Sequence, residues 1–163
     1  MATTTSYAAS PEQVNAKDSD LIRATELEPE GYSLSVPAGA TVNGIEIIWW
    51  GGFSATLAES ENKFVWYVNN GSSNSALKQA NEVEYPVYSD VGRLTIGGSS
   101  DLWGLSWTPT TANSIVTGFV TEIGTAYHDS FQVVISYTAA DAGNGKVSIT
   151  SGKFSLTSGK ITI

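Results

Sequence analysis

The chain contains no cysteine, one histidine and one methionine. Without cysteine there are no disulfides, no thiolate metal ligands and no cysteine nucleophile. Charge is also scarce. Only 15% of the residues are charged, against roughly 25% in an average soluble domain. Long solvated helices carry Glu, Lys and Arg, so this scarcity argues for strands. Positive charge is the scarcer sign, with 8 Lys and Arg against 16 Asp and Glu and a formal net charge of −8. An acidic surface repels phosphate backbones, so no nucleic-acid partner is expected. No apolar run approaches the ~20 residues of a membrane helix, so no membrane partner is expected either. Met1 to Ser6 has neither a basic n-region nor an apolar h-region, so no signal peptide is expected.

What the sequence does have is Ser, Thr, Val, Ile and 16 Gly in a chain of 163 residues. That length suits one domain. Residues 1–20 are polar and aperiodic and read as an N-terminal arm. Leu21 to Glu28 alternates and reads as a strand or one short helix, followed by an acidic turn around Pro29 and Gly31. Ser33 to Val36 alternates polar with apolar, and Pro37 to Ala40 is a turn. Val42 to Trp50 is apolar and β-branched. The Asn43-Gly44 pair within it is a hairpin signal, and equally a bulge or the start of a strand. Lys63 to Val68 is an aromatic strand closed by Asn69, Asn70 and Gly71. Ser72 to Ala80 reads as loop, Val91 to Ile96 as a strand closed by Gly97 and Gly98, and Ile115 to Ile123 as a further strand. Phe131 to Tyr137 puts Phe131, Val133, Ile135 and Tyr137 on one face. No window has a convincing helical period. Turn signals at this spacing predict a sandwich or barrel.

From residue 139 the pattern changes. Gly145 to Ser151, Gly152 to Ser158 and Gly159 to Ile163 form a seven-residue repeat. Its apolar positions alternate within each unit: Val147 and Ile149, Phe154 and Leu156, Ile161 and Ile163. Each unit predicts a short one-faced strand with Gly-Lys as the break. Such strands are marginal alone and must pack on the body or on another chain. Charge differs as well. Residues 139–163 carry Lys146, Lys153 and Lys160 against Asp141, a net of +2, whereas residues 1–138 carry a net of −10. A basic tail on an acidic body reads either as a solvated end or as an extension that reaches a neighbour's surface.

Three stretches carry a resemblance. Val36 to Ile47 resembles an IPAGATIDGIEV segment. Thr95 to Pro109, with Trp103 and Trp107 in a Gly-rich turn, resembles YGGSTDLWGLTWTPADIN. Tyr127 to Thr138 resembles VDHIQVTVYYT. These segments occur in this order in a poorly characterised group of β-rich proteins of phages, prophages and environmental bacteria. The resemblance covers roughly residues 20–138. It implies a jelly-roll-like domain of a virion or surface protein and no established catalytic residues. Two departures stand out: the opening lacks the group's Trp-Asn-Pro type start, and His128-Asp129 is reversed. The heptapeptide tail lies outside the resemblance.

Candidate chemistry is thin. A Ser-His-Asp triad would need His128 as base, but in an extended strand Asp129 points to the other face and no Gly-x-Ser-x-Gly elbow is present. Paired carboxylates for a glycosidase would come from Asp101 with Glu46 or Glu122. The plainer reading of Asp101 is that it bonds backbone amides in its turn. A Ca²⁺ site from Asp90, Asp101 or Asp141 lacks the usual loop spacing. Five tryptophans are present. Of these, Trp49, Trp50, Trp103 and Trp107 are candidate ligand or interface aromatics, with core or interface packing preferred over a sugar platform. Trp49 and Trp50 are adjacent, so a strand sends them to opposite faces.

The expectation is thus an all-β antiparallel sandwich of jelly-roll type: arm 1–20, domain 21–138 and strand-forming tail 139–163. Its expected role is non-enzymatic, without cofactor or metal, as a structural protein of a tailed-phage virion in capsid decoration, fibre or tail appendage. Partners would be copies of itself and other virion proteins, through Val147, Ile149, Phe154, Leu156, Ile161 and Ile163. It would be made in the host cytoplasm and end on the particle surface. The alternative is a carbohydrate-binding or host-adhesion module that meets a host-surface glycan.

Overall fold

A computed structural model of the chain describes residues 1–9, 22–24, 26–53, 64–80, 92–121, 126–140, 148–150 and 153–155. It is an antiparallel β-sandwich. The elements in order are β1 (Ala2–Tyr7), β2 (Ile22–Ala24), β3 (Glu26–Leu27), β4 (Thr41–Phe53), β5 (Phe64–Asn69), β6 (Gly92–Gly98), α1 (Pro109–Asn113), β7 (Val116–Thr121), β8 (Ala126–Thr138), β9 (Ser148–Thr150) and β10 (Lys153–Ser155). The larger sheet runs β1-β8-β4-β6, with β2 added to β8. The smaller runs β3-β7-β5, and β9 pairs with β10 as a separate hairpin.

The core follows from the alternation of β4 and β8. Ile45, Ile47 and Trp49 face inward opposite Ile135, Val133 and Phe131, their register partners, and all six are fully buried. Leu94 and Ile96 of β6 continue that face, and Phe64, Trp66, Val68 and Phe119 of the smaller sheet close it. Trp49 joins the layers. Its ring lies 5.9 Å from Trp66, edge-on, and 6.4 Å from Phe119 at an interplanar angle of 2°. Aromatic pairs at such separations contribute about 0.5–1.5 kcal/mol beyond their buried area.

Several local expectations change here. Within the expected arm, Ala2 to Tyr7 forms a strand that pairs residue by residue with Tyr137 to Gln132 along the edge of β8. Leu21 to Glu28 contains two short strands in different sheets. Ser33 to Val36 alternates as predicted, Tyr32 and Val36 being buried and Ser33 and Ser35 exposed, yet it joins no ladder. It runs beside β1, where the Ser33 and Ser35 amides donate to Ser6 Oγ (2.8 Å) and Thr4 Oγ1 (3.2 Å). Hydroxyls on the edge strand take the place of backbone acceptors. Asn43-Gly44 is a β-bulge, marked by a register shift between Val42 and Gly44. The single-turn α1 carries no periodicity to read. It rests on a capping box between Thr108 and Thr111, with Pro109 at its start.

Candidate functional site

Chemistry-bearing side chains gather in three places. The first is the bulge of β8. The register there passes from Trp50 opposite Ser130 to Gly51 opposite His128, which leaves Asp129 as the extra residue. A bulge breaks the alternation, so His128, Asp129 and Ser130 are all buried, where strict alternation had predicted opposite faces for the first two. The Trp49 indole N–H donates to His128 Nδ1 at 3.0 Å. The imidazole is therefore unprotonated at Nδ1. Phe119 lies 4.6 Å from it edge-on and Phe131 5.5 Å away. Ser130 Oγ has no hydrogen-bond partner among the described residues, whereas a nucleophilic serine needs its base within hydrogen-bond reach. His128 is here a polar member of the aromatic joint between the sheets.

The second place is the end of the sandwich where the 97–108 loop meets the 70–80 loop. Asp101 Oδ1 accepts from the Trp103 amide at 2.8 Å, and its Oδ2 bonds Lys78 Nζ as a close ion pair. The Asp101 carbonyl accepts from the Ile45 amide. Asp101 thus braces its turn. Trp103 is the one described non-glycine residue at positive φ (58°), a conformation costing roughly 1–2 kcal/mol. Its geometry is held at both ends: the amide by Asp101, and the buried indole N–H by Ile45 O at 2.8 Å. Lys78 Nζ also sits 5.0 Å from the Trp103 ring. Trp107 is half-buried and donates its indole N–H to Leu102 O at 3.0 Å. Asn70 Nδ2 reaches Ser106 O at 3.1 Å and ties the two loops. Leu77 and Leu102, which flank the ion pair in sequence, are 60% and 37% exposed.

Trp49 and Trp50 do face opposite ways. Trp49 is fully buried. Trp50 lies on the outer face of the larger sheet, 6.4 Å from the Tyr7 ring and 5.8 Å from the Arg93 guanidinium. Arg93 also pairs at 3.9 Å with Glu46. Glu46 and Asp101 each face a cation, not one another. Glu122, Asp90 and Asp141 lie outside the described residues. Among the described residues no three His, Asp or Glu side chains gather as a metal site.

The third place is the tail. The hairpin pairs Lys153 with Thr150, Phe154 with Ile149 and Ser155 with Ser148. Ile149 and Phe154 are therefore register partners. Lys153 lies within β10, where Gly-Lys had been expected to form the break. Val147, Leu156, Ile161 and Ile163 lie outside the described residues. Sequence reasoning missed Leu77 and Lys78, because nothing local in the polar 72–80 run shows that it is bonded to the Asp101 turn.

No family model, curated protein or solved structure matches this chain.

Proposed function

We propose that this chain is a non-enzymatic structural protein of a tailed-phage virion, building a capsid decoration, fibre or tail appendage by protein–protein assembly. The observation that carries the assembly reading is the β9–β10 hairpin. It pairs only with itself among the described residues, and its register sets Ile149 opposite Phe154. A lone two-stranded hairpin is marginal in water, so this one gains stability by packing on another surface. The virion part of the reading rests on the resemblance of Val36–Ile47, Thr95–Pro109 and Tyr127–Thr138 to phage and prophage proteins. Packing roles for His128 and Asp101 support the non-enzymatic part.

The test is solution mass by light scattering, on the full chain and on a chain ending at Thr138. A defined oligomer for the first and a folded monomer for the second is the expected result. Two folded monomers would refute assembly through the tail.

A glycan-binding module is the second reading, and Trp50 beside Tyr7 on an outer sheet face is what favours it. That reading requires sugar-dependent quenching of tryptophan fluorescence that is lost in Trp50→Ala.

A further inference from the structure

We propose that the loop platform carrying Leu77 and Leu102 receives the C-terminal hairpin of a second copy of this chain. The inference rests on the assembly reading above and names the surface that the tail would meet.

Large apolar side chains are exposed at only three of the described positions: Met1, Leu77 and Leu102. Met1 is a chain end. The two leucines belong to separate loops, and both loops are braced. On one side, Lys78 N donates to Trp66 O and Trp66 N to Lys78 O, each at 2.8 Å, while Ser75 N donates to Val68 O at 2.8 Å. These bonds lay residues 74–78 along the edge of β5. On the other side, Leu102 O accepts from Leu105 N and from Trp107 Nε1, both at 3.0 Å. The Lys78–Asp101 ion pair and the Asn70–Ser106 bond lock the two loops to each other. Two exposed leucines on loops bonded to each other offer an apolar contact surface, and a frame already ordered loses little entropy on binding.

The occupant follows from what the rest of the chain leaves unpartnered. The hairpin has apolar residues at facing register positions, Ile149 and Phe154, and joins neither sheet among the described residues. Residues 139–163 carry a net of +2 and residues 1–138 a net of −10, so tail and body attract. Leu77 is 60% exposed, and under the assembly reading the hairpin that meets it belongs to another copy. Each copy then both gives a hairpin and receives one, and the contact is heterologous unless two copies exchange tails reciprocally.

The test uses full-length chains. Leu77→Ser/Leu102→Ser removes the platform, and Ile149→Ser/Phe154→Ser removes the hairpin face. The two leucines are exposed, so the near-UV circular dichroism of the platform variant should match the native chain. Both variants should weaken self-association by about tenfold or more, as expected where interface anchors are truncated. Mixing them should restore a heterocomplex, because one brings an intact hairpin and the other an intact platform. If the hairpin variant dissociates and the platform variant keeps the native mass, the platform assignment is wrong and assembly through the tail stands. If neither variant changes mass, both fall. Loss of association only in the platform variant would also overturn the assignment, since the platform would then bind something other than the tail.

Discussion

Gly44 shows how tightly one position can be specified. A Cβ there would stand 2.3 Å from Ser99 C and 2.4 Å from Gly98 O, backbone atoms that cannot swing away. Gly44→Ala should therefore destabilise the fold by about 1–3 kcal/mol, the usual cost of overpacking. Gly98→Ala meets nothing within 4 Å and should stay within about 0.5 kcal/mol of the native chain. Urea unfolding of the pair checks the contrast. Tyrosine gives a second test at this scale. Burial raises Tyr32 above the ordinary phenol value of 10.0, with its Thr117 bond opposing. Burial raises Tyr67 too, and the Glu28 carboxylate, bonded at 2.5 Å, adds to the shift. In both, folding favours the neutral phenol. That stabilisation is complete below pH 10 and is lost as pH rises toward the folded-state values. Unfolding free energy should thus fall above about pH 10. Tyr32 and Tyr67 should ionise only well above pH 10, as phenolate absorbance would show.

At the scale of elements, β1 is the most informative. It covers the edge of β8 and offers Thr4 and Ser6 hydroxyls to the 33–35 segment. Removing residues 1–7 should cost a sizeable share of the ~5–15 kcal/mol of a typical domain, read as a lower urea midpoint. An unchanged midpoint would restore the arm reading. β1 was missed in the sequence because Thr3, Thr4 and Thr5 offer β-propensity without apolar alternation. By contrast, β4, β5, β6, β7 and the 131–137 part of β8 were legible, since apolar, aromatic and β-branched residues run through each between turn signals. The bulge at Asp129 was not legible. Register depends on which residues the partner strand supplies, and Gly51 of β4 lies far from it in sequence. The same holds for the Lys78–Asp101 brace, which joins loops whose meeting is decided by the fold. In the tail, the strands at 148–150 and 153–155 were legible; the bounds of the second were not, because a Gly-Lys break and a Ser-Gly break fit the repeat equally until a register is fixed.

For the whole molecule, stability and the proposed assembly fall to different parts of the chain. Trp49 spans the two sheets and holds His128 by its indole N–H, so the body is stabilised internally. Trp49→Ala should cost about 3–5 kcal/mol, as for large aromatic truncations in cores, without altering the mass of whatever remains folded. Tail substitutions should do the reverse, changing mass and leaving the melting of the body nearly unchanged. Sedimentation velocity across a concentration series separates these two behaviours most directly, on the native full-length chain and on Ile149→Ser/Phe154→Ser. Assembly through the tail requires a native chain that forms a defined oligomer and a variant that sediments as a folded monomer. Equal sedimentation of both chains at every concentration would contradict it.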